Sequence, residues 1–144
     1  FALRHQEKDL LAKTHVALLQ GGEQEQLAGY FSLTTISVER ASLIEIPALD
    51  KLPRFPIPGI LLARLAVDER AQGQGLGRFL FEEALGLTLQ LCNEGPLRFR
   101  LFVTDALHED ASNFYERFDM VRLGEEYPLR MVLDLKPLLG DERQ

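Results

Sequence analysis

Hydrophobic and polar positions along the chain change period several times. Residues Phe1 to Lys13 read as a helix, with Leu3, Leu10 and Leu11 set among Arg4, Glu7 and Lys8 at helical spacing. Thr14 to Leu19 is a β-like run, and Gly21-Gly22 opens a polar turn to Gln26. Leu27 to Val38 is rich in β-branched and aromatic residues, so these two runs predict a hairpin. Pro53, Pro56 and Pro58 break any regular element between Glu39 and Pro58, which reads as a surface loop. Ile60 to Val67 is nearly all apolar and predicts a central strand buried on both faces. After a polar turn, Asp68 to Gln74, the stripe Leu76, Leu80, Ala84, Leu87 and Leu91 predicts an amphipathic helix. Gly95-Pro96 is its stop signal. Leu97 to Val103 alternates as a strand, and Glu109 to Phe118 reads as a short helix with Ala111, Phe114, Tyr115 and Phe118 on one face. Tyr127 to Leu135 is a last strand, followed by a polar tail from Gly140. The order β-β-β-α-β-α-β predicts a mixed α/β sheet with flanking helices.

Composition narrows the function classes. The chain has 144 residues, of which 46% are hydrophobic and 26% charged, as expected of a single globular domain over residues 1–144 with a real core. A net charge of −6 argues against coating nucleic acid or an anionic membrane by bulk attraction. Cys92 is the lone cysteine, which excludes an intrachain disulfide and a cysteine metal cluster and reads as a buried thiol on a helix. His5, His15 and His108 are too scattered for ligand spacing, so no metal is expected. The apolar runs are too short for a helix to span a bilayer, and no secretory signal is visible, so a cytoplasmic protein without membrane association is expected. The sequence begins at Phe1 rather than Met, so the natural start is expected upstream.

The most informative segment is Gln72-Gly73-Gln74-Gly75-Leu76-Gly77-Arg78, between a strand and a helix. Alternate glycines let the backbone curl, successive N–H groups can converge on an anion, and the helix adds its unpaired N–H groups and positive dipole end. A P-loop signature fails because Arg78-Phe79 follow Gly77, where Lys-Ser/Thr is needed. A dinucleotide fingerprint fails because, counted from Gly73, the final glycine position is Arg78. A tight turn without a ligand is the other reading. The pattern Gln/Arg-x-x-Gly-x-Gly is satisfied by Gln72, Gly75 and Gly77.

On these residues, on the preceding Leu62 to Asp68 (LARLAVD) and on Ala111-Ser112-Asn113-Phe114-Tyr115, the sequence resembles the GNAT (Gcn5-related) N-acetyltransferases over roughly Leu27 to Leu135. The resemblance implies the acyl-CoA N-acyltransferase fold, a mixed and mostly antiparallel sheet with flanking helices. Its N-terminal strand and part of its first helix are expected to be missing from this stretch. It further implies acetyl-CoA as co-substrate, with the diphosphate held by Gln72, Gly73, Gln74, Gly75, Leu76, Gly77 and Arg78. The pantetheine arm would pair with the backbone of Leu65, Ala66 and Val67, with the Val67 N–H as oxyanion donor. Asn113 and Phe114 are implied as further cofactor contacts. Tyr115 would protonate the leaving thiolate: a phenol with pKa about 10 still holds its proton at neutral pH, and a thiol titrates near 8.5. A core aromatic packed on Ala111 is the competing reading for Tyr115.

Transfer of acetyl to a primary amine by direct attack is the expected reaction. The general base is not legible; Asp68, Glu39 and Glu45 are candidates by chain position only. Arg64, a charge inside an apolar run, reads either as paired with an acid or as a contact to substrate or phosphate. Gly29 to Glu39, the proline-rich linker, PGILLARLAVD and QGQGLG bring the chain closer to the GNAT toxins of toxin–antitoxin pairs, which acetylate the amino acid on charged tRNA. The acidic balance departs from that branch, and Asp119-Met120 stands where Gly-Phe usually follows the Phe-Tyr helix. A charged-tRNA toxin is therefore the alternative to an enzyme for another amine, and a non-catalytic acyl-CoA-binding module is a third reading. The family often dimerises, so the resemblance allows a homodimer with the apolar Phe55-to-Leu62 region as interface; a buried strand is the other reading, and explains most of that region.

Overall fold

The computed structural model describes residues 2–8, 12–19, 26–43, 46–49, 52 and 55–140, with only the backbone of 2–8. Seven strands form one sheet: β1 Ala2–Lys8, β2 Ala12–Leu19, β3 Gln26–Val38, β4 Ile57–Val67, β5 Leu101–Ala106, β6 Val121–Leu123 and β7 Leu129–Asp134. Their order across the sheet is β1-β2-β3-β4-β5-β7-β6. The pairs β1/β2, β2/β3, β5/β7 and β6/β7 run antiparallel. Helices α1 Leu76–Glu94 and α2 Glu109–Glu116 follow β4 and β5 respectively. The architecture is mixed α/β with a mostly antiparallel sheet. The chain divides into two compact units, Phe1–Thr34 with Leu62–Leu87, and Thr35–Leu61 with Thr88–Gln144.

The first unit is built on the hairpin of β2 and β3, in register from Lys13↔Leu33 to Leu19↔Gln26, with an irregularity at Ala17/Leu18. Thr14 and Ser32 share a hydroxyl hydrogen bond of 2.8 Å, and His15 stacks on Phe31 with ring centroids 4.7 Å apart. Gly29 of β3 sits where a Cβ would come within 2.7 Å of Ala66 O and 2.9 Å of Leu80 Cδ1. Only glycine lets α1 lie that close to the strands, and this seats the helix start. In the second unit, Val38, Leu43, Leu49, Ile57, Leu101, Val103 and Val132 form a buried cluster. Asp105 and Arg130 stand opposite each other on β5 and β7 and pair through two bonds of 2.9 and 3.0 Å.

Several expectations need correction. Ala2–Lys8 is a strand, not part of a helix: Ala2↔Leu18 through Lys8↔Ala12 pair across β1/β2, and that cross-strand pairing overrides a weak local helix signal. Residues 20–25, which hold all of the expected Gly21 to Gln26 turn but its last residue, lie outside the described residues, and Gln26 belongs to β3. The loop between Glu39 and Pro58 contains two short 3-10 turns, Arg40–Leu43 and Pro47–Leu49, and β4 already begins at Ile57. Pro58 is compatible with it because only its carbonyl bonds, accepting the Arg100 N–H at 2.9 Å. β4 is not buried throughout; Ala63 and Arg64 are exposed and Leu65 to Val67 half-buried.

The buried stripe of α1 is Leu76, Leu80, Phe81, Ala84, Thr88 and Cys92, and Leu91 is exposed. Steps of four residues drift around a 3.6-residue helix, so a strict four-residue stripe leaves the core within three turns. Cys92 is buried on this helix, its thiol 3.6 Å from the Phe99 carbonyl. The strand expected at Leu97 to Val103 starts four residues later and is not alternating: Leu101 to Thr104 are all buried. β6 was not legible because three residues carry no period; it exists through its pairing with β7. β7 begins at Leu129 rather than Tyr127.

Candidate active site

The strand–turn–helix of the first unit brings Leu65, Ala66, Val67 and Gln72 to Arg78 into one continuous structure. Its approach is set by Asp68. The Asp68 N–H donates to Ala28 O of β3 at 2.7 Å. Neighbouring residues of a strand aim their backbone groups at opposite edges, so the N–H and C=O of Val67 face away from β3. The Gln72 amide reaches Val67 O at 3.5 Å, a long bond.

Asp68 also caps the 3-10 turn Glu69–Ala71. Its carboxylate accepts the Arg70 N–H at 2.9 Å and the Arg70 Nε at 3.0 Å. These hydrogen bonds hold the Asp68 carboxyl below the usual carboxylate range. Asp68 is thereby engaged in forming the turn. Glu39 is exposed at the end of β3, and Glu45 lies outside the described residues. Ser/Asp-type capping two residues ahead of a bonded N–H is a local signal that was readable from Asp68-Glu69-Arg70.

Past the cap, Gly73 has φ 82° and Gly75 φ 76°. A Cβ at either would meet nothing within 4 Å, so it is backbone conformation, not space, that calls for glycine at both. Gly77 lies in the first turn of α1 and needs no left-handed φ. The first helical bond is Phe79 N–H to Gly75 O at 3.0 Å. The N–H groups of Leu76, Gly77 and Arg78 therefore have no intrahelical partner. A left-handed residue followed by a right-handed one turns adjacent N–H groups to a common side, the arrangement that holds an anion. Leu76 anchors the turn by burial, while Gln72 to Gly75 are exposed. Arg78 is exposed and bonds Glu82 one turn on at 2.7 Å.

In the second unit, α2 carries Asn113, Phe114 and Tyr115. Its N-cap is His108, whose Nδ1 accepts the Ala111 N–H at 3.2 Å, and Glu109 and Asp110 complement the dipole. Asn113 is exposed and accepts from Arg122 Nη2 at 3.1 Å; Arg122 also pairs with Glu116. Phe114 stands edge-on to Tyr115 and Phe118 at 5.3 and 5.2 Å. Tyr115 is 7% exposed. Burial pushes its phenol above the ordinary value, with a hydrogen bond to the buried Thr104 of β5 pulling the other way. Thr104, the polar residue in the buried run Leu101 to Thr104, was the sequence signal for that partner.

The end of α2 resolves the Asp119-Met120 departure. Asp119 takes φ 66°, the left-handed conformation that glycine adopts freely. The Asp119 N–H bonds Glu116 O at 3.1 Å and the Met120 N–H bonds Tyr115 O at 3.4 Å. This is a Schellman cap with aspartate in place of glycine, and buried Met120 completes it. The backbone at Tyr115 is thereby tied down at its carbonyl. Among the described residues, no group of three or more His, Cys, Asp or Glu side chains is placed to hold a metal ion, and no helix is long and apolar enough to cross a membrane.

Residues 13–119 match the family model described as Acetyltransferase (GNAT) domain. The chain belongs to this family: it is an acyltransferase with acetyl-CoA as co-substrate. It is 39% identical over 122 residues to a tRNA-acetylating toxin of Mycobacterium tuberculosis (strain ATCC 25618 / H37Rv), spanning 81% of this chain and 69% of that protein. A solved structure described as AtaT complexed with acetyl-methionyl-tRNAfMet superposes with TM-score 0.75 at 26% identity, covering 89% of this chain and 74% of that one. AtaTR bound with AcCoA gives TM-score 0.70 at 26% identity, covering 89% and 73%.

Proposed function

We propose that this protein transfers acetyl from acetyl-CoA to the α-amine of the amino acid carried by charged tRNA. The observation that carries the acceptor is the 39% identity to a tRNA-acetylating toxin over most of the chain. The donor site is supported by the left-handed Gly73 and Gly75 and by the N–H groups of Leu76, Gly77 and Arg78 without intrahelical partners, which suit the diphosphate of CoA. In this reading Gln72 to Arg78 hold the diphosphate, Leu65 to Val67 receive the pantetheine arm, and Asn113 and Phe114 contact the cofactor.

The neutral amine attacks the thioester carbonyl, and a C–N bond forms as the C–S bond breaks. The Val67 N–H donates to the developing oxyanion. Tyr115 gives its proton to the departing thiolate, the amine releases its proton to solvent, and the phenolate takes one back from solvent. The Tyr115 phenol holds its proton at neutral pH, the state this role requires. An α-amine has pKa about 8, so a useful share is already neutral at physiological pH and no strong base is required. That fits Asp68 being committed to Arg70. The net charge of −6 favours a second reading, a small amine acceptor.

The test is incubation with labelled acetyl-CoA and bulk charged tRNA. Label should enter RNA and leave with mild deacylation. Tyr115→Phe should lower kcat by about 10²–10⁴ with CoA affinity kept. Label on small amines but not on charged tRNA would select the second reading, and full activity in Tyr115→Phe would remove the phenol from the mechanism.

A further inference from the structure

We propose that Arg64 is an acceptor-binding residue that holds a backbone phosphate of the RNA bearing the amine. The inference rests on the charged-tRNA reading above and adds to it the residue that makes the acceptor an RNA.

Arg64 is the only charged residue in the 11-residue strand IPGILLARLAV. Among the described side chains, the other arginines except Arg117 have visible partners. Arg70, Arg78, Arg100, Arg122 and Arg130 pair with carboxylates. Arg98 bonds the Cys92 carbonyl, and Arg40 has its own interaction. Arg117 sits at the C-terminal cap of α2, where a cation meets the negative end of the dipole. Arg64 has no such role and no acidic partner among the described residues, and its side chain is exposed.

Its position adds to this. β4 stands inside the sheet order, between β3 and β5. Consecutive strand residues face opposite sides of a sheet, yet Ala63 and Arg64 are both exposed. The sheet is therefore open on both faces at this point of an interior strand, while Ile60 and Leu62 just before it are buried. Arg64 lies about 10 Å before Val67 along β4, on the side away from the glycine turn. With the diphosphate at residues 72–78, that is the end toward which the pantetheine arm carries the thioester. A guanidinium there meets the acceptor rather than the phosphates of CoA, and its planar fork matches a phosphodiester in a bidentate pair. The acidic chain cannot gather RNA by bulk charge, so a local exposed cation carries disproportionate weight.

The experiment measures kcat/KM for charged tRNA and for the matching aminoacyl amides, which present the same α-amine without RNA, in wild type, Arg64→Gln and Arg64→Lys. Calorimetry with CoA and a thermal melt run beside it. Arg64→Gln should lower the tRNA-to-amide ratio of kcat/KM about tenfold or more. It should flatten the log–log salt dependence on tRNA by about one phosphate contact, with CoA affinity and melting temperature held. Arg64→Lys should fall between. A proportional loss on both acceptors, weaker CoA binding, or an unaltered ratio overturns the assignment of Arg64. Wild-type protein that acetylates the amides but never tRNA overturns the charged-tRNA reading itself, and the Arg64 proposal with it.

Discussion

Alanine at Gly75 isolates one physical quantity. The left-handed φ of 76° is the whole reason for glycine there, since a Cβ would touch nothing within 4 Å. An L-residue in that conformation is strained by about 1–2 kcal/mol. Alanine also restricts the unfolded chain, which offsets about 0.4–1 kcal/mol of the loss in folding but nothing in binding. Two limits follow. If the free protein keeps the left-handed turn, the strain is present before ligand arrives: stability falls by up to about 1.6 kcal/mol and CoA affinity is unaltered. If the free turn relaxes, stability is unaltered or slightly raised and affinity falls about 5- to 30-fold, the equivalent of about 1–2 kcal/mol. Intermediate cases share the same total. Differential scanning calorimetry of the free protein and titration calorimetry with CoA measure the two parts. Gly75→Asn should lose less on whichever axis moves, because asparagine tolerates left-handed backbone. Gly124→Ala is the control: φ is 90° and a Cβ again meets nothing, but the residue lies outside the turn, so only stability should respond. Wild-type CoA affinity together with a melting temperature above wild type in Gly75→Ala would refute the cradle.

The Schellman cap predicts that Asp119→Ala melts below wild type, by about 2–4 °C per kcal/mol lost, and that Asp119→Gly melts above Asp119→Ala; equal melting temperatures would mean the left-handed cap is not held in solution. Asp68→Ala should weaken CoA binding by loosening the turn, while Asp68→Asn, which can still accept the Arg70 N–H, should retain most of it; loss of the acid limb of the kcat profile in both would instead mark Asp68 as the base. Because the folded Asp68 pKa is depressed, its contribution to stability is present above the unfolded value near 3.8 and disappears as pH falls through the folded one. The Tyr115 pKa is raised, so the sign reverses: its contribution is present below 10 and disappears as pH climbs through the folded value. An ultraviolet titration of wild type against Tyr115→Phe should therefore subtract a phenol that ionises above the ordinary range; one that ionises at the ordinary value would contradict the burial.

What was legible in the sequence was whatever one backbone segment decides alone. Gly73 and Gly75 were readable because their left-handed φ is a property of the turn itself, with no packed neighbour imposing it. The stop of α1 at Gly95-Pro96 and the β2/β3 hairpin were readable for the same reason, and the family resemblance followed from such local signatures. Features set by distant residues were not. Ala2–Lys8 is a strand because residues 12–18 lie beside it. Three residues at Val121 become β6 only against β7. The partner of the Tyr115 phenol is Thr104, eleven positions earlier on another element, and the departure at Asp119 became intelligible only once its φ and the two bonds closing α2 were seen. Pairing, burial and the pKa shifts they produce are free energies of neighbours brought together by folding, and a linear pattern records which residues are available for them but not which ones meet.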